Sequence, residues 1–282
     1  MTPYLLLRKT TEQFRNAGIP DPETDSALLL SSLCGSSPLR LRLDTDSQLD
    51  DSVLDSFSSL IRQRLNRIPV QYILHEAPFC GRLFYVDSRV LIPRPETELL
   101  CHWALGLPLL PGMKILDLCC GSGCIGLTIA ASRPDLSVTL SDISHDALDV
   151  AALNAARYNL DVQFYQSDLS SAFSSCSFDL IVCNPPYIPS ADCSDLQPEV
   201  LKEPLIALDG GKDGLHFYRR IVSESSGILK QGGMLLMELG INEASQVRFV
   251  LERNGFTDIE IRHDLNGIER MILGTRSVAE GI

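Results

Sequence analysis

From Met113 onward the chain alternates two hydrophobic periods, and that alternation restricts its fold more than any other feature. The runs "MKILDLCC", "LSVTLSDIS", "VQFYQSDL", "FDLIVCNPP" and "MLLMELG" read as strands. Between them "GCIGLTIAASRP", "HDALDVAALNAARYN", "GLHFYRRIVSESSGILKQGG" and "NEASQVRFVLERNG" read as helices, and two short strands close the chain. Strands joined through helices need right-handed crossovers, which predicts an α/β fold with a mostly parallel sheet covered on both faces. Ligands of such sheets bind at the carboxyl ends of the strands, so the loops that follow them share one rim.

The chain before this region reads differently. Residues 1–75 carry helical spacing in "TPYLLLRKTTEQFRNAG", "DPETDSALLLSSLCG" and "LDDSVLDSFSSLIRQRLNRIP", with Gly18, Gly35 and Pro69 as stops. A small helical domain is expected there. Residues 76–95 change to alternating and aromatic residues around Gly81, which predicts a β-hairpin connector, and a helix opens near Glu96 to begin the region 96–282.

A chain of 282 residues can form one large or two ordinary domains. Its net charge of −12 argues against sequence-blind binding to phosphate backbones, which depends on clustered Lys and Arg. A nucleic acid is therefore not an expected direct partner. No apolar run approaches the roughly 20 residues that span a bilayer, and "MTPYLLLRKTTEQF" lacks the basic lead and long apolar centre of a signal peptide. A cytoplasmic protein with no membrane contact is expected. The nine cysteines show no paired C-x-x-C and no Cys/His zinc spacing, so buried reduced thiols and no metal site are expected.

Three strand ends carry acids. "ILDLCCGSGCIG" sets Asp117 at a strand end, then a glycine turn in which Gly121 and Gly123 let backbone approach a ligand. Asp142 closes "VTLSD", where a carboxylate can grip both hydroxyls of a ribose, and Asp168 in "YQSDL" can take an adenine amino group. Taken singly, Asp117 is as readily a helix cap, and Asp142 or Asp168 a solvated turn. A dinucleotide site would show G-x-G-x-x-G, and this turn is C-C-G-S-G-C-I-G. The D-x-x-x-G-x-G pattern instead resembles the S-adenosylmethionine loop of class I methyltransferases, whose acid at the first strand end helps fix the methionine moiety.

The fourth strand ends in Asn184-Pro185-Pro186-Tyr187. Each proline holds the preceding residue extended and lacks an N–H, so this backbone cannot join a ladder. The Pro185 carbonyl and the Asn184 side-chain oxygen are then two fixed acceptors suited to a planar NH₂ group, and Tyr187 can stack on its flat face. An amide nitrogen is a poor nucleophile, its lone pair being delocalised. Two acceptors can hold both N–H bonds and aim the nitrogen at a methyl donor. A carboxylate would meet acceptors with its own oxygens and be rejected.

Taken together the sequence resembles the peptide chain release factor glutamine N5-methyltransferases over almost its full length. The resemblance rests on "LIPRPETE" (91–98), "ILDLCCGSGCIG" (115–126), "SD" at 141–142, "SDL" at 167–169, "NPPYIP" (184–189) and "EPLIALDGGKDGL" (203–215). It implies a class I, Rossmann-like sheet and transfer of a methyl group from S-adenosyl-L-methionine, leaving S-adenosyl-L-homocysteine. The acceptor would be the glutamine side chain of the Gly-Gly-Gln motif in release factors. By position, Asp117 with Cys119, Cys120, Gly121, Ser122 and Gly123 would form the cofactor loop, with Cys119 where the family carries glycine. Asp142 would hold the ribose, Asp168 and Leu169 would lie by the adenine, and Asn184 would border cofactor and substrate. Asn184, Pro185, Pro186 and Tyr187 would hold the glutamine, and Asn184, Pro185 and Tyr187 would act in catalysis. Arg94, Glu96 and Thr97 would line or gate the cleft, Glu203 and Pro204 would order a loop over the substrate, and residues 1–75 would dock the release factor. N-P-P-Y also occurs in adenine-N6 methyltransferases of nucleic acid, which remain the alternative; the negative charge and the helical leader disfavour them. A binding module without turnover is a further rival.

Overall fold

The computed structural model describes residues 1–277. They divide into two compact units, one of residues 1–76 with Gln197–Lys202, the other of Ala77–Leu196 with the chain from Glu203 onward.

The first unit is helical. Its elements are α1 (Pro3–Asn16), α2 (Pro22–Cys34), α3 (Pro38–Leu43), α4 (Asp51–Leu65) and α5 (Val70–Leu74). Prolines occupy the first turn of α1, α2 and α3, where no N–H is needed. Side-chain oxygens of Thr2 and Ser37 accept from Leu5 and Arg40 amides to close two of these ends. The two shortest helices are absent from the sequence reading, because six and five residues are too few to display a period. Phe14, Leu29, Leu30 and Phe57 form the core. Within it Arg64, 3% exposed, donates to Asp25 at 2.7 Å and to Glu199 at 2.8 Å, so the 197–202 segment is tied into this unit by charge.

The second unit opens with the hairpin β1 (Ala77–Phe79) and β2 (Arg82–Phe84), which belongs to this unit. After α6 (Pro95–Gly106) follow β3 (Lys114–Leu118), α7 (Cys124–Ser132), β4 (Ser137–Asp142), α8 (His145–Arg157), β5 (Gln163–Gln166), β6 (Phe178–Cys183), α9 (His216–Ile228), β7 (Leu229–Glu238), α10 (Ala244–Arg253), β8 (Phe256–His263) and β9 (Glu269–Arg276). Among the described residues they build a seven-stranded sheet of order β5-β4-β3-β6-β7-β9-β8. The strands from β3 to β7 are parallel, and β9 and β8 complete the edge antiparallel. The α/β expectation is met. Both faces are buried, because neighbours in each central strand alternate between two cores. Ile115, Leu180 and Leu236 face one, with α6 and α7. Leu116, Ile181 and Leu235 face the other, with Tyr218 and Ile221 of α9.

Two boundaries differ from expectation. The closing strands are eight residues each rather than short. And α9 stops at Ile228, so "LKQGG", which reads as the helix end, is already β7. The glycines there serve a register irregularity between Phe178 and Leu180, with Gly232 at φ 73. No helix among the described residues is long and apolar enough to cross a membrane.

Candidate active site

The chain runs outward from β3 through β4 to β5, then returns to lay β6 on the other side of β3. Loops leaving β3 and β6 therefore part at a topological switch point, where α/β sheets form a crevice. The register pairs Leu118 with Cys183, so Cys119 and Asn184 leave the sheet as neighbours. A cavity lies over this point. Its wall includes Leu118, Cys119, Gly121, Asp142, Ile143, Ala147, Ser167, Asp168, Leu169, Asn184, Pro186, Pro204, Ile206 and Phe217.

The turn after β3 keeps to left-handed backbone at Cys119 (φ 59), Gly121 (φ 53) and Gly123 (φ 77). A side chain at Gly123 would lie 2.9 Å from Leu140 and 3.0 Å from Leu127, so glycine is required for both space and angle. Cys119 takes the angle with a side chain, at a cost of about 1–2 kcal/mol. Of the five loop residues only Cys119 and Gly121 face the cavity. Cys120 and Ser122 are buried beneath it, and the Ser122 carbonyl accepts from Asn154 Nδ2 at 2.9 Å.

Asp142 closes β4 at the cavity wall. Its Oδ2 accepts from the Gly121 amide and its Oδ1 from the Ser144 amide, both at 2.9 Å. Burial pushes its carboxyl above the ordinary range, and the amides of Ser144, Gly121 and Ile143 oppose that shift. Asp168 also borders the cavity, but its carboxylate pairs with Arg220 at 3.0 Å. Leu169 holds a left-handed φ of 48 and is buried against the same wall. Asp117 is fully buried beneath the turn and does not border the cavity. Its Oδ2 accepts from the Gly126 amide at 2.7 Å, its Oδ1 has no partner among the described residues, and burial raises it to about 7. Its observed work is to cap the start of α7.

After β6, Pro185 and Pro186 are buried and Asn184 is half-buried at the cavity wall. Among the described residues no donor is paired with Asn184 Oδ1 or with the Pro185 carbonyl. Asn184 Nδ2 donates to Thr97 Oγ1 at 3.2 Å, and Thr97 Oγ1 donates to Glu238 Oε2 at 2.6 Å. The Tyr187 hydroxyl reaches Glu238 Oε1 at 3.5 Å, and burial raises its pKa well above that of a free phenol. The segment after Tyr187 is clamped by the 208–214 loop: the Ile188 amide donates to the Leu208 carbonyl at 3.0 Å, and the Gly210 amide to the Ile188 carbonyl at 2.7 Å. Thr97 is 2% exposed and so sits behind the cavity wall. Arg94 pairs with the buried Glu203 at 2.6 Å, while the other Glu203 oxygen accepts from the Ile92 amide at 3.0 Å. This pair ties residues 92–94 to the segment whose Pro204 and Ile206 border the cavity. Glu96 is half-buried on the first turn of α6 and is absent from the cavity wall.

Glu238 is the participant that the strand-end reading passes over. Its signal is the one that marks Asp117 and Asp142: an acid closing an apolar strand, here "MLLMELG". The thiols of Cys101, Cys120 and Cys183 are raised by burial, and all nine cysteines are free. Cys101, Cys120 and Cys183 are packing residues of the two cores that flank the sheet.

Comparison with known proteins bears on this geometry. Residues 6–74 match the family described as the PrmC N-terminal domain, and residues 97–211 match the Methyltransferase small domain. The release factor glutamine methyltransferase of Chlorobaculum tepidum is 40% identical over 278 residues, covering 94% of this chain and 94% of that one. That of Clostridium acetobutylicum is 37% identical over 279 residues, covering 97% and 95%. In fold, a methyltransferase from Pyrococcus furiosus superposes with a TM-score of 0.55 over 71% of this chain and 91% of that one, at 16% identity. With such identity sustained from end to end, and with the loop after β3 and the N-P-P-Y turn on one cavity, the chain belongs to the release factor glutamine methyltransferase family.

Proposed function

We propose that this protein methylates the side-chain amide nitrogen of the glutamine in the Gly-Gly-Gln motif of peptide chain release factors. The observation that carries the reading is the register of β3 on β6, which opens the cofactor-type turn and the Asn184 amide onto one cavity. The cavity suits S-adenosylmethionine. Left-handed turns at Cys119 and Gly121 present backbone, Asp142 offers a carboxylate to ribose hydroxyls, and Leu118, Ile143, Ala147 and Leu169 offer apolar wall to a base. When bound, that cofactor supplies an electrophilic sulfonium methyl group.

The chain's own residues deal with the acceptor. Asn184 Oδ1 and the Pro185 carbonyl accept the two N–H bonds of the glutamine amide, fix its plane, and stabilise positive charge as it develops on nitrogen. The Tyr187 ring covers its flat face. The proton leaves after transfer, so no side-chain base of unusual strength is required. A glutamate would present lone pairs to two acceptors, and such mispairing supports discrimination of about 10⁴. The helical unit of residues 1–76 is assigned to docking the body of the release factor, and the Arg94–Glu203 pair to ordering the cleft. A cytoplasmic location goes with a substrate that works in translation termination.

The test is transfer of label from S-adenosylmethionine to a release factor, with DNA offered in parallel. The wild type labels the release factor on its glutamine, and Asn184→Ala lowers the rate roughly 100-fold while remaining folded. Label entering DNA alone would overturn the assignment.

A further inference from the structure

We infer that Thr97 and Glu238 are positioning residues that set the polarity of the Asn184 amide, and thereby make the site select a carboxamide over a carboxylate. The inference rests on the reading of the cavity proposed above. A primary amide is nearly symmetric in shape, but its two ends are opposite in hydrogen bonding. Asn184 fits its place with either end toward the cavity, and only one of the two orientations offers an acceptor to a substrate N–H.

The choice is made behind the wall. Thr97 has a single hydroxyl proton and gives it to Glu238 Oε2 at 2.6 Å. In its ionised form, which prevails above about pH 7 because burial raises its pKa to that value, Glu238 has no proton to return. The Thr97 oxygen is then left only as an acceptor, and its remaining partner is Asn184 Nδ2 at 3.2 Å. With Nδ2 held there, Oδ1 is turned to the cavity side. Thr97 and Glu238 are each 2% exposed, so water does not take the place of a missing member. The second Glu238 oxygen faces the Tyr187 hydroxyl at 3.5 Å, which links the same carboxylate to both functional side chains of the turn.

The fold explains why these three residues meet. Period two puts Asn184 on the face of Leu180 and Val182, and Glu238 on the face of Leu236, all toward the core that holds Leu100 and Trp103 of α6. Thr97 on the first turn of α6 lies between them. Remove the carboxylate and the polarity can invert. The Thr97 hydroxyl would then donate to Asn184 Oδ1, and the NH₂ would face the incoming group. It would oppose a glutamine N–H and accept a glutamate oxygen.

Two quantities test this: the rate of release factor methylation, and the affinity, with S-adenosylhomocysteine present, for the release factor and for its Gly-Gly-Glu variant. Thr97→Val keeps the shape and removes the hydroxyl; Glu238→Leu keeps the hydroxyl and removes its acceptor. Both are expected to slow methylation by about 30-fold with homocysteine-cofactor affinity within threefold of wild type, and to lower the glutamine-over-glutamate affinity ratio by about 10-fold. Thr97→Ser, which restores the hydroxyl, returns both quantities to within threefold of wild type. If either Thr97→Val or Glu238→Leu fails to fold, the other reads the same two quantities. A folded Thr97→Val and Glu238→Leu that methylate at the wild-type rate with an unchanged affinity ratio overturn the inference and leave the function standing. A wild-type protein that does not methylate the release factor overturns both.

Discussion

Substituting Gly210 by alanine perturbs the N-P-P-Y turn without touching any of its side chains. A Cβ at Gly210 would lie 2.6 Å from Tyr187 Cα, 2.7 Å from the Tyr187 carbonyl carbon and 2.8 Å from the Gly214 oxygen. All three are backbone atoms, so no rotamer relieves the contact. Carbon atoms rest at roughly 3.5 Å, so Tyr187 and the 208–214 loop must separate by about 1 Å. They are joined on either side by the Ile188–Leu208 and Gly210–Ile188 hydrogen bonds, and stretching these adds to an overpacking cost of about 1–3 kcal/mol. In a domain of this size that lowers the melting temperature by roughly 2–10 °C. A displacement of about 1 Å at an acceptor pair costs on the order of 100-fold in rate. The cofactor-type turn after β3 lies on a different strand end and is not displaced. The expected result is therefore a folded Gly210→Ala protein with methyl transfer down about 100-fold and S-adenosylhomocysteine affinity within threefold of wild type, read by label transfer and titration calorimetry. Turnover within threefold of wild type in a folded variant would refute the claim that the 208–214 loop holds the turn in position.

Other outcomes follow from buried charge and backbone angle. Burial raises Glu238 from 4.5, and Asp117 from 3.8, each to about 7, with Arg270 lowering Glu238 and nearby Glu96 raising it. The folded protein then binds these protons more tightly than the unfolded chain, so their contribution is present in full below about pH 4 and is lost as pH rises through about 7. Urea unfolding between pH 5.5 and 8 should show stability falling, with Glu238→Gln flattening the slope; a wild-type curve that rises over this window contradicts the burial of these acids. Arg64→Ala leaves Asp25 and Glu199 without their shared cation and should cost the helical unit about 3–5 kcal/mol, measured by chemical denaturation; a loss below 1 kcal/mol would show the ion cluster to be idle. Cys119→Gly relieves a left-handed φ of 59 and should raise stability by about 0.5–1 kcal/mol, whereas a fall would show that the thiol's packing outweighs the strain.

Much of this molecule was legible in its amino-acid order because the governing signals are local. The two periods after Met113 report which faces of each strand and helix are buried, and that decides an α/β sheet before any contact is known. The strand-end acids and the two prolines after Asn184 mark a rim by sterics and solvation alone. Other features depend on residues far apart in sequence. The pairing of Leu118 with Cys183, which sets Cys119 beside Asn184, follows from strand order, and strand order is decided by how whole layers pack. Asp117 and Asp168 read alike as ligand residues, yet one is buried under Gly126 and the other is held by Arg220. The orientation of Asn184 comes from Thr97 and Glu238, 87 residues before it and 54 after it. Sequence spacing carries the direction of a side chain within its own element; which group waits at the end of that direction is settled only when separate elements exclude water from the same place.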